Sequence, residues 1–307
     1  MPEDDPLRVA VLGPGGVGGL LAALLTRVGD AVTCLAGADT VPALRERGLR
    51  VTSDRFGELS EPVAAAERLE HQVDVCFVTV KATQLDAALE RVSPGVLGGA
   101  LLVPLLNGVE HLTALRRRYP DATVTGAVIR VESTRTGPGE IRHDSPFASV
   151  ELAVPPSGET AVRRLAAHLE RAGLDVSVRD DETGVLWDKL CFLAPMALLT
   201  THAQAPIGVV REQRREDMNA LVAEVAAVAR AEGAAGDEQS VLKFIASVPA
   251  SMQSSMQRDV AAGRPTELEA IGGAVLRAAD RAGVPVPVTT RLVEDLRAGR
   301  APERDLS

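Results

Sequence analysis

The chain has 307 residues, 46% hydrophobic and 24% charged: length for about two domains of roughly 150 residues each, and the composition of an ordinary globular protein. That balance argues against a disordered, collagen-like or disulfide-framework protein. Lys plus Arg is 33, Asp plus Glu is 42, the net charge is −9 and aromatics are 2%, so neither phosphate attraction nor base stacking recommends nucleic-acid binding.

Taken in chain order, Met1–Pro6 is acidic and lacks the basic and apolar segments of a secretory leader. Arg8–Leu12 reads as a strand that runs into glycines, Leu20–Val28 as a helix and Ala31–Leu35 as a second strand. Val73–Val80 is a continuous apolar run of the kind found in strands covered on both faces. Leu101–Leu106 repeats it, with Pro104 arguing against a central, fully paired strand. Thr123–Ile129, Ser149–Val154 and Asp175–Val178 read as further strands. This alternation predicts an α/β fold with a doubly wound parallel sheet.

The pattern changes near residue 180. Asp180, Asp181 and Glu182 form an acidic helix start. Beyond them Arg214–Glu232 and Glu267–Ala282 carry helical spacing, with Gly233 and Gly283 placed as C-terminal caps. We therefore expect an α/β domain at residues 1–179 and a helical domain at 180–307. Leu190–Val210 has no Asp, Glu, Lys or Arg, but Pro195, Pro206, Thr200, Thr201, His202 and Gln204 interrupt it. A buried helix followed by a turn accounts for it better than a membrane span. Cys34, Cys76 and Cys191 are far apart with no CxxC pair, a reducing-compartment pattern that suggests the cytoplasm.

Gly13-Pro14-Gly15-Gly16-Val17-Gly18 fits G-x-G-x-x-G between a strand and a helix. That context lets the backbone approach a pyrophosphate at the helix N-terminus. Cofactor choice is normally read at the end of the second strand, by an acid for NAD or an arginine for NADP. Here Gly37 stands at that place, Asp39 comes slightly late and Arg45 lies a turn into the next helix. Both charges read as surface residues, so these positions leave NADP and NAD open.

Further along come Val80-Lys81-Ala82, Leu106-Asn107-Gly108 and Leu186-Trp187-Asp188-Lys189-Leu190, then Ser254-Ser255-Met256-Gln257-Arg258-Asp259 and Gly263-Arg264-Pro265-Thr266-Glu267. With the glycine loop, these stretches resemble the ketopantoate reductase family, which reduces 2-dehydropantoate with NADPH. The resemblance covers nearly the whole chain. It implies an N-terminal Rossmann domain, an all-helical C-terminal domain and an active site in the cleft between them. It implies Lys189 as the catalytic lysine, Glu267 as a substrate-binding acid, Ser255 as a substrate-binding hydroxyl and Asn107 near nicotinamide and substrate. It also implies a role for Lys81 in the cofactor and substrate cleft. The chemistry suits these residue types: a lysine ammonium stabilises the oxygen that gains charge on hydride transfer and donates its proton. A carboxylate orients substrate hydroxyls by accepting their hydrogen bonds.

The chain departs from the family in places. Reductases acting on ketopantoate usually carry asparagines four and eight residues after the lysine, where this chain has Leu193 and Ala197. Those substrate-facing positions are apolar here, which motivates a second reading: the same hydride chemistry on a less polar ketone or imine. Glu269 replaces an aspartate, and Gly37 a basic residue. A cofactor-binding protein without turnover is a third reading, opposed by the joint presence of Lys189, Ser255 and Glu267. His202 is a weaker candidate acid or base, and His71, His111, His143 and His168 lack metal-ligand spacing. The expected partner is a small keto substrate, with no nucleic acid, membrane or metal; an apolar helical half is compatible with a homodimer.

Overall fold

A computed structural model describes residues 5–300 and divides the chain into two compact units. One contains the chain up to Leu106 and His111–Val185; the other contains Asn107–Glu110 and the chain from Leu186 onward. Most of the Met1–Pro6 stretch, and the last residues of the 180–307 region, lie outside the described residues.

The first unit begins with β1 (Arg8–Leu12), α1 (Gly16–Arg27), β2 (Ala31–Leu35), α2 (Val41–Arg47), β3 (Leu49–Ser53), β4 (Gly57–Glu61), β5 (Ala64–Ala66) and β6 (Val75–Val78). It continues through α3 (Leu85–Leu89), α4 (Pro94–Leu97), β7 (Leu101–Pro104), α5 (His111–Arg118), β8 (Thr123–Val124) and β9 (Ala127–Arg130). β10 (Ser133–Gly137), β11 (Glu140–His143), β12 (Ser149–Ala153), α6 (Glu159–Arg171) and β13 (Asp175–Arg179) complete it.

Strands β5-β2-β1-β6-β7-β8 form a six-stranded sheet that is parallel throughout. This is the Rossmann-type sheet that the βα alternation predicts. Every residue of β6 and β7 is buried, which is why those runs are uniformly apolar. β7 is an interior strand despite Pro104, because the proline ends it. Thr125 N donates to Leu102 O, and strand alternation turns the Pro104 nitrogen to the same side, past the last paired residue of β8. No ladder bond is lost there.

Thr123–Ile129 is not the single strand expected. β8 closes the six-stranded sheet, whereas β9 joins a second sheet of order β13-β12-β9. Between them Gly126 N donates to the Glu182 carboxylate at 3.0 Å, and a Cβ at Gly126 would lie 2.6 Å from Glu182 Cγ. A third sheet, β10-β11-β3-β4, was not anticipated at all. Neither β4 nor β10 has a buried residue, so neither carries a strong apolar signal. This sheet explains α1, whose residues Gly18–Leu25 are all buried. The helix packs against β1 and β2 and also against β3, β10 and β11. A helix covered on both sides is apolar all round.

The second unit is helical. It contains most of α7 (Glu182–Ala203), then α8 (Ile207–Gln213), α9 (Arg215–Ala231), α10 (Glu238–Ser247) and α11 (Ser255–Ala261). A π-helical turn, Glu269–Gly273, runs into α12 (Ala274–Ala282), and α13 (Pro287–Arg297) closes the unit. α7 starts at the predicted acidic cluster, where Asp181 Oδ1 accepts from Gly184 N at 2.8 Å. It continues through Pro195 to Ala203. Among the described residues it is the one helix long and apolar enough to cross a membrane, yet 72% of its apolar window is buried inside the protein. The uncharged stretch is thus a core helix. Gly233 and Gly283 take φ +97° and +66° as the caps of α9 and α12. Glu224 of α9 accepts from Val288 N and Thr289 N, both at 2.8 Å, and so caps α13.

Candidate active site

In the first unit the glycine loop joins β1 to α1 as expected, and each glycine has its own steric reason. Gly13 has φ +88°, and a Cβ there would meet Val80 Cγ1 at 2.4 Å. At Gly16 a Cβ would meet Ser133 O at 2.2 Å, and at Gly18 it would meet Thr79 Oγ1 at 2.2 Å and Gly13 O at 2.5 Å. At Gly15 nothing lies nearer than Gly13 O at 3.9 Å. The loop is therefore packed tightly around Gly13, Gly16 and Gly18 and open at Gly15, the residue before the first turn of α1. Val17 is half-buried against the core. Open backbone at a helix N-terminus is a cradle that a Cβ would fill, and it fits a dinucleotide pyrophosphate.

Two side chains that sequence reasoning missed hold this loop. Thr79 Oγ1 donates to Gly13 O at 2.7 Å, and Ser133 Oγ donates to Gly16 O at 2.8 Å. Neither belongs to a motif; each is recognised by its place after β6 or in β10. Lys81 follows Thr79 and Val80 and precedes a single helical turn, Ala82–Gln84. It is half-buried, and its carbonyl accepts from Gln84 N.

In the second unit Asn107 and Glu267 meet directly. Asn107 Nδ2 donates to Glu267 Oε2 at 2.9 Å, and Glu267 is buried at 6% exposure. Gly108 has φ +90°, and a Cβ on it would lie 2.2 Å from Ala270 O, so the Asn-Gly turn lets the chain run against the π-helical turn. Glu110 continues the contact through paired bonds to Arg277 at 2.7 and 2.9 Å. Glu269 is an ion-pair residue: Arg297 holds it at 2.8 Å and keeps its carboxyl below the usual range.

Lys189, Leu193 and Ala197 share one face of α7 through their four-residue spacing. Lys189 and Leu193 are half-buried and Ala197 is buried. Two contacts reach α7 within a turn of Ala197. Gly272 sits where a Cβ would be 3.0 Å from Leu198 Cδ2, and Thr200 Oγ1 lies 2.9 Å from Ser254 Oγ. Ser254 caps α11 by accepting from Gln257 N at 3.1 Å, whereas Ser255, the first residue of α11, is exposed. Gln257 Oε1 is buried without a hydrogen-bond partner and had no signal in the sequence beyond its place in the motif. His202 is buried, with Nε2 3.3 Å from Asp295 of α13. Burial holds its pKa below the ordinary imidazole value, consistent with a neutral, structural ring.

Comparison with known proteins bears on the family and the fold. The ketopantoate reductase PanE/ApbA family model matches residues 9–155, and its C-terminal counterpart matches residues 182–300. The chain is 32% identical over 302 residues to 2-dehydropantoate 2-reductase of Mycobacterium tuberculosis, covering 94% of this chain and 97% of that protein. It is 28% identical over 300 residues to an uncharacterised oxidoreductase of Bacillus subtilis, YkpB, covering 94% and 98%. Among solved structures, a PanE/ApbA family ketopantoate reductase from Ralstonia eutropha superposes with a TM-score of 0.85 at 30% identity, covering 94% and 97%. D-mandelate dehydrogenase with NADH and anilino(oxo)acetate shares the fold, with a TM-score of 0.86 at 24% identity, covering 94% and 97%. With a glycine cradle for a dinucleotide, an all-helical unit carrying the lysine motif and family matches along both, the chain belongs to the ketopantoate reductase family and is a nicotinamide-dependent oxidoreductase acting on a carbonyl group.

Proposed function

We propose that this protein reduces the ketone of a 2-oxo acid, with 2-dehydropantoate as the first substrate and NADPH as the preferred cofactor. The observation that supports the reading is the Asn107–Glu267 hydrogen bond, which orients a buried carboxylate able to accept from a substrate hydroxyl. When bound, the nicotinamide supplies the hydride. Lys189 stabilises the charge that develops on the carbonyl oxygen and gives it a proton. Glu267 orients a substrate hydroxyl, and Asn107 orients Glu267. Ser255 offers a hydroxyl to the substrate carboxylate, while Lys81 adds positive charge beside the glycine-loop strand. The loop of Gly13, Gly15, Gly16, Val17 and Gly18 would hold the pyrophosphate, with Gly15 as its open face and Gly13, Gly16 and Gly18 setting the loop's shape. The buried thiols Cys34, Cys76 and Cys191, with pKa values pushed up to about 12 by burial, suit a reducing cytoplasm, and the substrate proposed here would give the protein a place in pantothenate synthesis.

Leu193 and Ala197 favour a second reading, a 2-oxo acid or imine with an apolar side chain. The same face lacks the two amides that a hydroxylated acid would use. Purified protein is assayed for NADPH and NADH oxidation with 2-dehydropantoate and, beside it, a 2-oxo acid with an unhydroxylated branched side chain. The first reading expects 2-dehydropantoate to have the higher kcat/KM, and Lys189→Ala to lower kcat by about 10²–10⁴-fold, the usual worth of a general acid. A preference for the apolar acid would move the assignment to the second reading. Turnover indifferent to Lys189 would remove the lysine from the mechanism.

A further inference from the structure

The end of β2 lacks a basic residue in sequence, but it does not lack one in space. Arg91 follows α3 and stands 55 positions beyond Ala36, yet its Nη1 donates to Ala36 O at 2.9 Å and to Glu67 O at 3.0 Å. Its Nη2 lies 3.8 Å from the point where a Cβ on Gly37 would stand. The guanidinium thus occupies the space that a side chain at position 37 would enter. The neighbouring ladder ties this place to the glycine cradle, since Gly13 N donates to Leu35 O at 3.0 Å.

We propose that Arg91 reads the 2′-phosphate of the dinucleotide, taking over the work of the basic residue that Gly37 replaces. The inference rests on the NADPH reading above and names the residue that enforces it. Three observations carry it. The two carbonyls hold Nη1 and so fix the plane of the guanidinium, which leaves Nη2 turned toward position 37; a pre-oriented fork is the geometry that phosphate recognition uses. Among the described residues no carboxylate forms an ion pair with Arg91, so its charge is not spent on a protein acid. A second guanidinium stands at the same edge of the sheet, since Arg45 Nε donates to Ala65 O of β5 at 2.8 Å. Asp39, the nearby acid that would suit a ribose 2′-hydroxyl, is exposed beyond the strand end.

Calorimetric titration of the full chain with 2′,5′-ADP and with 5′-AMP tests this without turnover. Wild type is expected to bind 2′,5′-ADP more tightly. Arg91→Ala and Arg91→Gln should each lose on the order of 10- to 100-fold in 2′,5′-ADP affinity and keep their 5′-AMP affinity. Gly37→Arg placed in the Arg91→Ala background should restore the discrimination, because losing the Arg91 guanidinium vacates the space beside position 37. Arg91 is overturned as the reader if the variants keep the 2′,5′-ADP to 5′-AMP ratio, including the case where both affinities fall together and Arg91 merely supports the loop. A wild type with no preference between the two nucleotides would overturn the NADPH reading itself, which separates the two failures.

Discussion

At Gly15 the backbone has φ −82°, outside the left-handed region, and a Cβ would touch no protein atom closer than 3.9 Å. At Gly18 the same Cβ would collide with Thr79 Oγ1 and Gly13 O. The two positions therefore separate cofactor approach from protein packing. Gly15→Ala should leave the melting temperature unchanged and weaken nucleotide binding by on the order of tenfold or more, because the added methyl would enter the open space proposed for the pyrophosphate. Gly18→Ala should cost about 1–3 kcal/mol of stability through overpacking. Thermal melting beside nucleotide titration separates the two effects; equal melting temperatures with equal affinities would remove Gly15 from the cradle. The need for glycine here is legible in the motif, but the division of labour among the glycines depends on β6 and β10, which the motif does not contain.

Among the elements, α11 has its start fixed by a buried serine. Ser254 supplies its N-cap and also meets Thr200 of α7 at 2.9 Å. Both bonds are buried, so Ser254→Ala should cost about 1–2 kcal/mol in urea unfolding, whereas the exposed Ser255→Ala should cost under about 0.5 kcal/mol. If Ser255 holds the substrate carboxylate, Ser255→Ala raises KM with stability intact. The strand misread at Thr123–Ile129 belongs to this scale as well. Its apolar spacing is that of one strand, and the break comes from Glu182, which bonds Gly126 N from 56 residues away. Periodicity reports which residues face a core, not when a distant side chain takes over a ladder position. The π-helical turn escaped for a similar reason: Glu267–Ala282 has helical spacing, and the extra residue is accommodated where Gly272 rests on Leu198 and Val293.

For the whole molecule, each unit buries one histidine whose pKa is lowered. In the first unit His143 is surrounded by Ser53, Ser145 and the Phe147 carbonyl, and burial depresses its pKa. In the second unit burial does the same to His202, with the charge of Arg214 adding to it. A histidine depressed in the native state costs nothing above the unfolded pKa of about 6.5. As pH falls below that value, the unfolded chain binds protons that the native chain refuses, and stability is lost until the native pKa is reached. Denaturant unfolding should therefore show lower stability at pH 5.5 than at pH 7.5. His143→Gln and His202→Gln should each flatten that dependence. A flat wild-type profile across this interval would show that neither ring is held neutral.

The sequence by itself determined the class of the fold and the family. The apolar runs of β1, β6 and β7, the glycines of the nucleotide loop and the change to helical spacing near residue 180 are local signals, each written within a few consecutive residues. Motif spacing likewise singled out Lys189, Glu267 and Asn107 as candidates. Tertiary structure alone decided the pairings that join distant residues: Asn107 to Glu267 across 160 positions, Arg91 to the end of β2 across 55, and the third sheet built from β3, β4, β10 and β11. Such proximity comes from the crossing of separately folded segments, which local periodicity does not record. Polar edge strands and a guanidinium held by two carbonyls leave no hydrophobic pattern to read, because their partners are set by where the chain returns rather than by what lies beside them in sequence.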